Sequence, residues 1–91
     1  MTYLYEIDKI YLVDEENVKV GYVDYRIDNG ILILNKVYVL PNYQGKGYAR
    51  LIMDEAVVFA QKEKYLVRPI CSYAIGYFEK NPLLKDLLES K

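Results

Sequence analysis

The sequence predicts a mixed α/β (α+β) fold: an antiparallel meander of three strands, then a helix, a strand parallel to the third, and C-terminal helices. Three observations carry this. Residues 3–40 are dense in β-branched and aromatic side chains with period-two alternation, and a long amphipathic repeat of helical period begins after Gly47. A short apolar run at 65–70 follows that repeat, and a strand reached through a helix returns parallel to the one it left. At 91 residues the chain has the size of one domain, 1–91, with a modest core.

Tyr3 to Val13 reads as one long or bent strand, in which Tyr3, Tyr5 and Ile7 alternate with Leu4, Glu6 and Asp8 before the apolar run Ile10 to Val13. Asp14 to Asn17 is a polar turn. Val18, Val20 and Tyr22 then alternate, and the phase flips to Val23, Tyr25 and Ile27. One extra residue swaps the faces of a strand, so a β-bulge is expected near Gly21 to Val23. Asp28-Asn29-Gly30 supplies the positive φ of a tight hairpin. Ile31 to Leu40 is apolar on both faces except at Asn35 and Lys36, as suits a central strand covered on two sides, and Pro41 ends it. From Gly47 to about Lys62, Leu51, Ile52, Glu55, Ala56, Phe59 and Ala60 recur at helical spacing and leave Asp54, Gln61 and Lys62 for solvent. Tyr65 to Ile70 is the returning strand, and Cys71 opens a second helical segment through Lys80. Asn81-Pro82 then caps a short helix carrying Leu83, Leu84, Leu87 and Leu88.

Composition removes several kinds of chemistry. A net charge of −1, from 12 basic and 13 acidic residues, argues against bulk electrostatic binding of nucleic acid. Without a long apolar span or a basic-then-apolar leader, the expectation is a cytoplasmic protein with no membrane partner. With no histidine and one cysteine, no metal site of the usual ligand types is expected, and Ser-His-Asp or Cys-His pairs are excluded. Carboxylates, tyrosines, lysines and Cys71 remain as catalytic groups. Alternation puts most of the eleven tyrosines on sheet faces, where packing rather than base stacking is their use. The plain reading of Cys71 is a small buried hydrophobe. The terminal leucine stripe reads as core, with a weak homodimer contact as the alternative to a monomer.

The stretch VYVLPNYQGKGYAR, Val37 to Arg50, organises the rest: strand, tight loop, helix. The amides of Gly45, Lys46, Gly47, Tyr48, Ala49 and Arg50 lie where a helix begins, and a helix N-terminus with free N–H groups attracts anions. Gly45 and Gly47 let a phosphate approach the backbone, and Lys46 and Arg50 add charge. A nucleotide P-loop needs two more residues between its glycines and a Ser or Thr after the lysine. A dinucleotide fingerprint needs a glycine or alanine at Arg50 and an acidic residue near the end of the next strand. Neither fits.

Gln44, Gly47 and Ala49 instead match Q/R-x-x-G-x-G/A, and the loop resembles that of the GNAT superfamily of N-acetyltransferases. Pro69 to Pro82, PICSYAIGYFEKNP, resembles a compact GNAT-like group of small proteins with a P-x-C-S-Y segment followed by a helix. The two motifs cover roughly the C-terminal half; the N-terminal meander agrees in layout. The resemblance implies a minimal GNAT-like fold, acetyl-CoA as cosubstrate, and its pyrophosphate on the loop amides with Gln44 in the motif. It also implies that the strand through Val37, Tyr38 and Val39 pairs with the pantetheine arm. Many such enzymes carry a tyrosine general acid in N-x-x-A-x-x-x-Y-E-K; here Cys71 takes the asparagine place, Ala74 matches, and Phe78 takes the tyrosine place with Tyr77 beside it. Lys36-Val37 stands where the small group has His-Thr.

The activity expected is acetyl-CoA-dependent N-acetylation of an exposed amine: a small amine, a lysine side chain or a peptide N-terminus. The alternative is a module that binds acetyl-CoA or CoA without turnover. Transfer from a thioester needs a deprotonated amine, a polarised carbonyl and a proton for the departing sulfur. The resemblance assigns polarisation to amides near Tyr38 and Val39. Tyr77 or Cys71 is expected to protonate the sulfur, or Cys71 to accept the acetyl group first. No side chain stands out as the base; a water relayed to Glu6 or Asp24 is one route.

Overall fold

The computed structural model describes residues 1–89; the last two residues of the expected 1–91 domain lie outside them. One five-stranded sheet runs in the order β1 (Thr2–Tyr5), β2 (Lys9–Val13), β3 (Lys19–Asp28), β4 (Ile31–Val39) and β5 (Leu66–Pro69). The first four strands are antiparallel to their neighbours and β5 is parallel to β4. Helix α1 (Tyr48–Glu63) makes the crossover and α2 (Ser72–Glu79) follows β5. This is the expected mixed α/β fold.

The meander has four strands rather than three. Tyr3 to Val13 is not one strand: the chain reverses at Glu6 to Asp8, Tyr5 stands opposite Ile10, and the Glu6 amide donates to the Lys9 carbonyl at 2.8 Å. Ile7 sits at the tip, 96% exposed. The turn is weakly marked in the sequence: of the usual turn residues it carries only Asp8, with no glycine, proline or asparagine. The second hairpin is the one expected, with Asn29 and Gly30 at φ of 52° and 78° between paired Asp28 and Ile31.

Two bulges shape the sheet. Leu12 pairs with Gly21 and Val13 with Lys19, so Val20 is the extra residue, one position ahead of the expected place. Gly21 is buried under α1, where a Cβ would lie 2.6 Å from the Tyr38 carbonyl oxygen and 3.0 Å from Ile52 Cδ1. The second bulge, in β4, leaves Asn35 unopposed between the pairs Asp24–Lys36 and Tyr25–Leu34. A bulged strand bends. The ladder of β4 with β5 covers only Ile31 to Leu34, ending on the Ile70 amide bonded to the Leu34 carbonyl at 3.0 Å.

The core lies on one face. Ile10, Leu12, Val23, Leu32 and Leu34 meet Ile52, Met53 and Ala56 of α1 and Ala74 and Phe78 of α2. Burial of this apolar face contributes about 25 cal/mol for each Å² removed from water. The central strand is covered by helices on one side only, since α1 and α2 share a face, although Ile33 on the other face is also fully buried. On that other face, Tyr11, Tyr22 and Tyr38 stand opposite one another across three strands, with ring centroids 5.9 and 5.6 Å apart. Lys19, Lys9 and Lys36 lie over Tyr11, Tyr22 and Tyr38 at 4.3, 5.7 and 5.5 Å. Lysine stems cover apolar surface while the ammonium stays wet, so these residues do part of the shielding a helix would provide.

After α2 the chain forms a 3-10 helix, Pro82–Leu87, in place of a capped α-helix, and the Asn81 amide group donates to the Tyr77 carbonyl at 2.7 Å instead of capping. Leu84, Leu87 and Leu88 pack on the core as expected, whereas Leu83 is exposed. Among the described residues no helix is long and apolar enough to cross a membrane.

Candidate active site

Pro41 stops β4 and opens a 3-10 turn, Pro41–Tyr43. The Gln44 side chain donates to the Val39 carbonyl at 2.9 Å, tying the loop to the strand it leaves. Gly45 and Gly47 have φ of 77° and 82°, and Gly47 is the N-cap of α1 without a side-chain cap. A Cβ at either glycine would meet nothing within 4 Å. Glycine is required there by the backbone, and the space above it is open. The first-turn amides of Tyr48, Ala49 and Arg50 have no intrahelical acceptors and keep their affinity for an anion. Lys46 and Arg50 are exposed beside them, while Tyr48 and Ala49 are half-buried. A depression of about 250 Å³ lies over Val39, Tyr43, Gln44, Gly45 and Gly47, with Tyr73 of α2 on its far side.

The edge of β4 beside this depression is unpaired beyond Leu34. The Leu40 amide donates to Val20 in β3 at 2.9 Å, and Tyr38, two residues back, pairs with Tyr22 in the same sense. Alternation therefore turns Val37 and Val39 toward the open edge. The Tyr38 amide is spent inside the sheet, and its ring lies on the lysine-covered face.

Cys71 is the N-cap of α2, extended at φ −72° and ψ 154°, and its Sγ accepts the Ala74 amide at 3.4 Å. It is half-buried at the margin of the core. Tyr77 is buried, and its hydroxyl donates to Asp54 Oδ1 of α1 at 2.6 Å. Burial, then that hydrogen bond and the Asp54 charge, push the Tyr77 hydroxyl well above the ordinary tyrosine range. Phe78 is a core residue, edge-on to Tyr77 with centroids 5.4 Å apart. Cys71 and Tyr77 stand nearly two turns apart on α2, each with its own partner. Glu6 lies in the first turn, 3.8 Å from Lys19, and Asp24 is opposite Lys36 on the helix-free face. Among the described residues no group of three His, Cys, Asp or Glu side chains is placed to hold a metal ion.

Asp54, expected in solvent, is the residue that sequence reasoning missed. The signal was present: Arg50 and Asp54 are four apart on α1, Tyr73 and Tyr77 four apart on α2, and such pairs form facing stripes. Between the stripes opens a cavity of about 470 Å³ lined by Arg50, Ser72, Tyr73, Tyr77, Lys80 and Asn81.

Solved structures share this architecture. A GCN5-like protein from Staphylococcus aureus, determined by NMR, superposes with a TM-score of 0.77 at 22% identity, over 99% of this chain and 89% of that one. The ribosomal-protein-S18-alanine N-acetyltransferase of Escherichia coli gives 0.67 at 17% identity, over 87% of this chain and 51% of the other. A GNAT family acetyltransferase from Streptococcus pneumoniae gives 0.57 at 22%, over 91% and 66%. The chain thus spans most of the first relative and about half the length of the second. These likenesses define an N-acetyltransferase fold of the GNAT type. The family model described as GCN5-related N-acetyl-transferase matches residues 9–87, and the chain belongs to that family. No curated protein matches it in sequence.

Proposed function

We propose that this protein is a single-domain, acetyl-CoA-dependent N-acetyltransferase acting on an exposed amine in the cytoplasm, as a monomer or weak homodimer. One observation carries the reading: a glycine loop with open space above free helix amides stands at the end of a strand whose adjoining edge is unpaired. Pyrophosphate on Gly45 to Arg50 leaves the pantetheine arm to run along Val37 and Val39 into the gap between β4 and Ile70. The Val39 carbonyl is already taken by Gln44, so the strand's remaining edge groups are Val37 N–H and C=O and Val39 N–H. The amides are the donors available to polarise the thioester carbonyl as negative charge develops on its oxygen.

α1 and α2 close one side of that gap, so the amine approaches from the helix-free face, where the acceptor needs no deep pocket. One structural neighbour is named for an alanine of a ribosomal protein, which puts peptide N-termini in the acceptor panel beside lysine and small amines. The neutral amine attacks the carbonyl carbon, the nitrogen passes a proton to water, the C–S bond breaks, and the sulfur takes a proton from Cys71 or Tyr77, which regains it from solvent. Calorimetry with acetyl-CoA, followed by release of free thiol with the amine panel, tests the reading; no binding by the intact chain overturns it.

A second reading, an acetyl-CoA or CoA binding module without turnover, is favoured by the Tyr77 hydroxyl being held by Asp54 and by Phe78 in the core. Binding without thiol release from any amine distinguishes it.

A further inference from the structure

The helix-free face, from which an acceptor would approach, carries amines of the chain itself. Lys9, Lys19 and Lys36 each lie over a tyrosine ring there, and they differ in what holds them. Lys9 reaches Asp8 at 3.5 Å and Lys19 reaches Glu6 at 3.8 Å. Lys36 is in no ion pair among the described residues, and neither is Asp24, which stands opposite it on β3. Its Nζ lies 5.5 Å from the centroid of the Tyr38 ring, a contact too weak at an exposed site to fix the side chain in one place.

Lys36 also has the right position. It directly precedes Val37, whose N–H faces the unpaired edge of β4, and consecutive Cα atoms are only about 3.8 Å apart. Lys9 is on β2, with β3 between it and that edge, and Lys19 is at the start of β3, opposite Val13 of β2. Lys46 belongs to the loop, at the pyrophosphate end of the site. We propose that Lys36 is a self-acetylation site: with acetyl-CoA bound and no acceptor present, the chain transfers the acetyl group to its own Lys36 Nζ. This rests on the reading that the pyrophosphate occupies the loop and the thioester lies along Val37. The neutral Nζ attacks the thioester carbonyl carbon, the nitrogen passes a proton to water, the C–S bond breaks, and coenzyme A leaves as the thiol once its sulfur is protonated. An amine tethered this close competes at an effective concentration on the order of millimolar, so a dilute acceptor loses to it. The product amide is no longer a nucleophile, which limits the reaction to one turnover and leaves an uncharged side chain on the acceptor face.

Incubation of the full chain with acetyl-CoA and no amine tests the assignment, with peptide mass spectrometry to locate acetyl groups and calorimetry to follow acetyl-CoA binding. Lys36 is expected to be acetylated roughly tenfold or more faster than any other lysine, because it alone is held beside the thioester. An excess of coenzyme A, which competes for the same site, should suppress that mark and leave slow acetylation elsewhere unchanged. Lys36 is exposed and outside the core, so Lys36→Arg keeps its fold, with a thermal melt as control. That variant is expected to bind acetyl-CoA as wild type does and to release no stoichiometric thiol. Bound acetyl-CoA with Lys36 unmodified, or acetylation spread evenly over the lysines and indifferent to coenzyme A, overturns the self-acetylation site while leaving the loop reading intact. Absence of acetyl-CoA binding by wild type overturns the loop reading and the site together.

Discussion

The Tyr77 hydroxyl donates to Asp54 Oδ1 at 2.6 Å, and this bond joins the two helices that flank the larger cavity. The phenolic proton lies in that bond, so delivering it to a departing thiolate requires the bond to break. Tyr77→Phe removes the bond and is expected to lower stability by about 1–2 kcal/mol, since it leaves a half-buried carboxylate without its donor. A double-mutant cycle with Asp54→Asn should give a coupling of roughly 0.5–3 kcal/mol by chemical denaturation. If Tyr77 is the acid, Tyr77→Phe also slows turnover by about ten- to ten-thousand-fold without changing affinity for acetyl-CoA. Unchanged turnover removes Tyr77 from the chemistry.

Cys71 separates by substitution. Serine is a better N-cap than cysteine or alanine, so Cys71→Ser should be at least as stable as wild type and Cys71→Ala less stable by about 0.5–1 kcal/mol. In turnover, Cys71→Ala is expected to lose about ten- to ten-thousand-fold. Cys71→Ser retains activity if the group only donates a hydrogen bond and loses it if the sulfur accepts the acetyl group. Full activity in Cys71→Ala would show that the residue only caps the helix.

Gly47 is held at φ 82° with open space around it. Gly47→Ala should cost about 1–2 kcal/mol through the left-handed backbone alone. Gly47→Val adds a branched side chain where the phosphate must approach and is expected to abolish acetyl-CoA binding in a calorimetric titration. Normal binding by a folded Gly47→Val variant moves the pyrophosphate elsewhere.

Gly21 is required for the opposite reason, crowding. Its added Cβ would meet the Tyr38 carbonyl oxygen, so Gly21→Ala must push β4 or α1 aside at a cost of about 1–3 kcal/mol. Urea denaturation measures this, and a neutral result would mean that the bulge yields freely.

Alkaline pH should unfold the protein through its tyrosines. Burial raises the hydroxyls of Tyr3, Tyr25 and Tyr73, and burial followed by a carboxylate hydrogen bond raises those of Tyr5 and Tyr77. Groups whose folded values lie above the unfolded value of about 10 contribute fully below pH 10 and progressively less as pH rises toward the folded values. Thermal melts across that window, with tyrosinate absorbance followed in parallel, are expected to show stability falling from pH 10 upward. Flat stability there contradicts the shifts.

Local chemistry made much of the molecule legible. Asn29-Gly30, Pro41, Gly45 and Gly47 each impose a backbone conformation on their own few residues, so the second hairpin, the end of β4, the loop and the start of α1 follow from the chain read in order. The repeat of Leu51, Ile52, Ala56 and Ala60 likewise specifies a helix with one buried stripe. What tertiary structure decided is long-range. Within Glu6 to Asp8 only Asp8 favours a turn, too little to place one; it exists because Tyr5 can pair with Ile10 and turn its ring toward α1. The Asn35 bulge depends on register with β3, and only that register shows that Val37 and Val39, rather than Tyr38, face the open edge. Asp54 reads as a solvent residue until α2 brings Tyr77 to it across 23 positions of chain. Backbone preference is encoded residue by residue, whereas the partner of a side chain is chosen only when separate elements pack, and at this site the partner determines the chemistry.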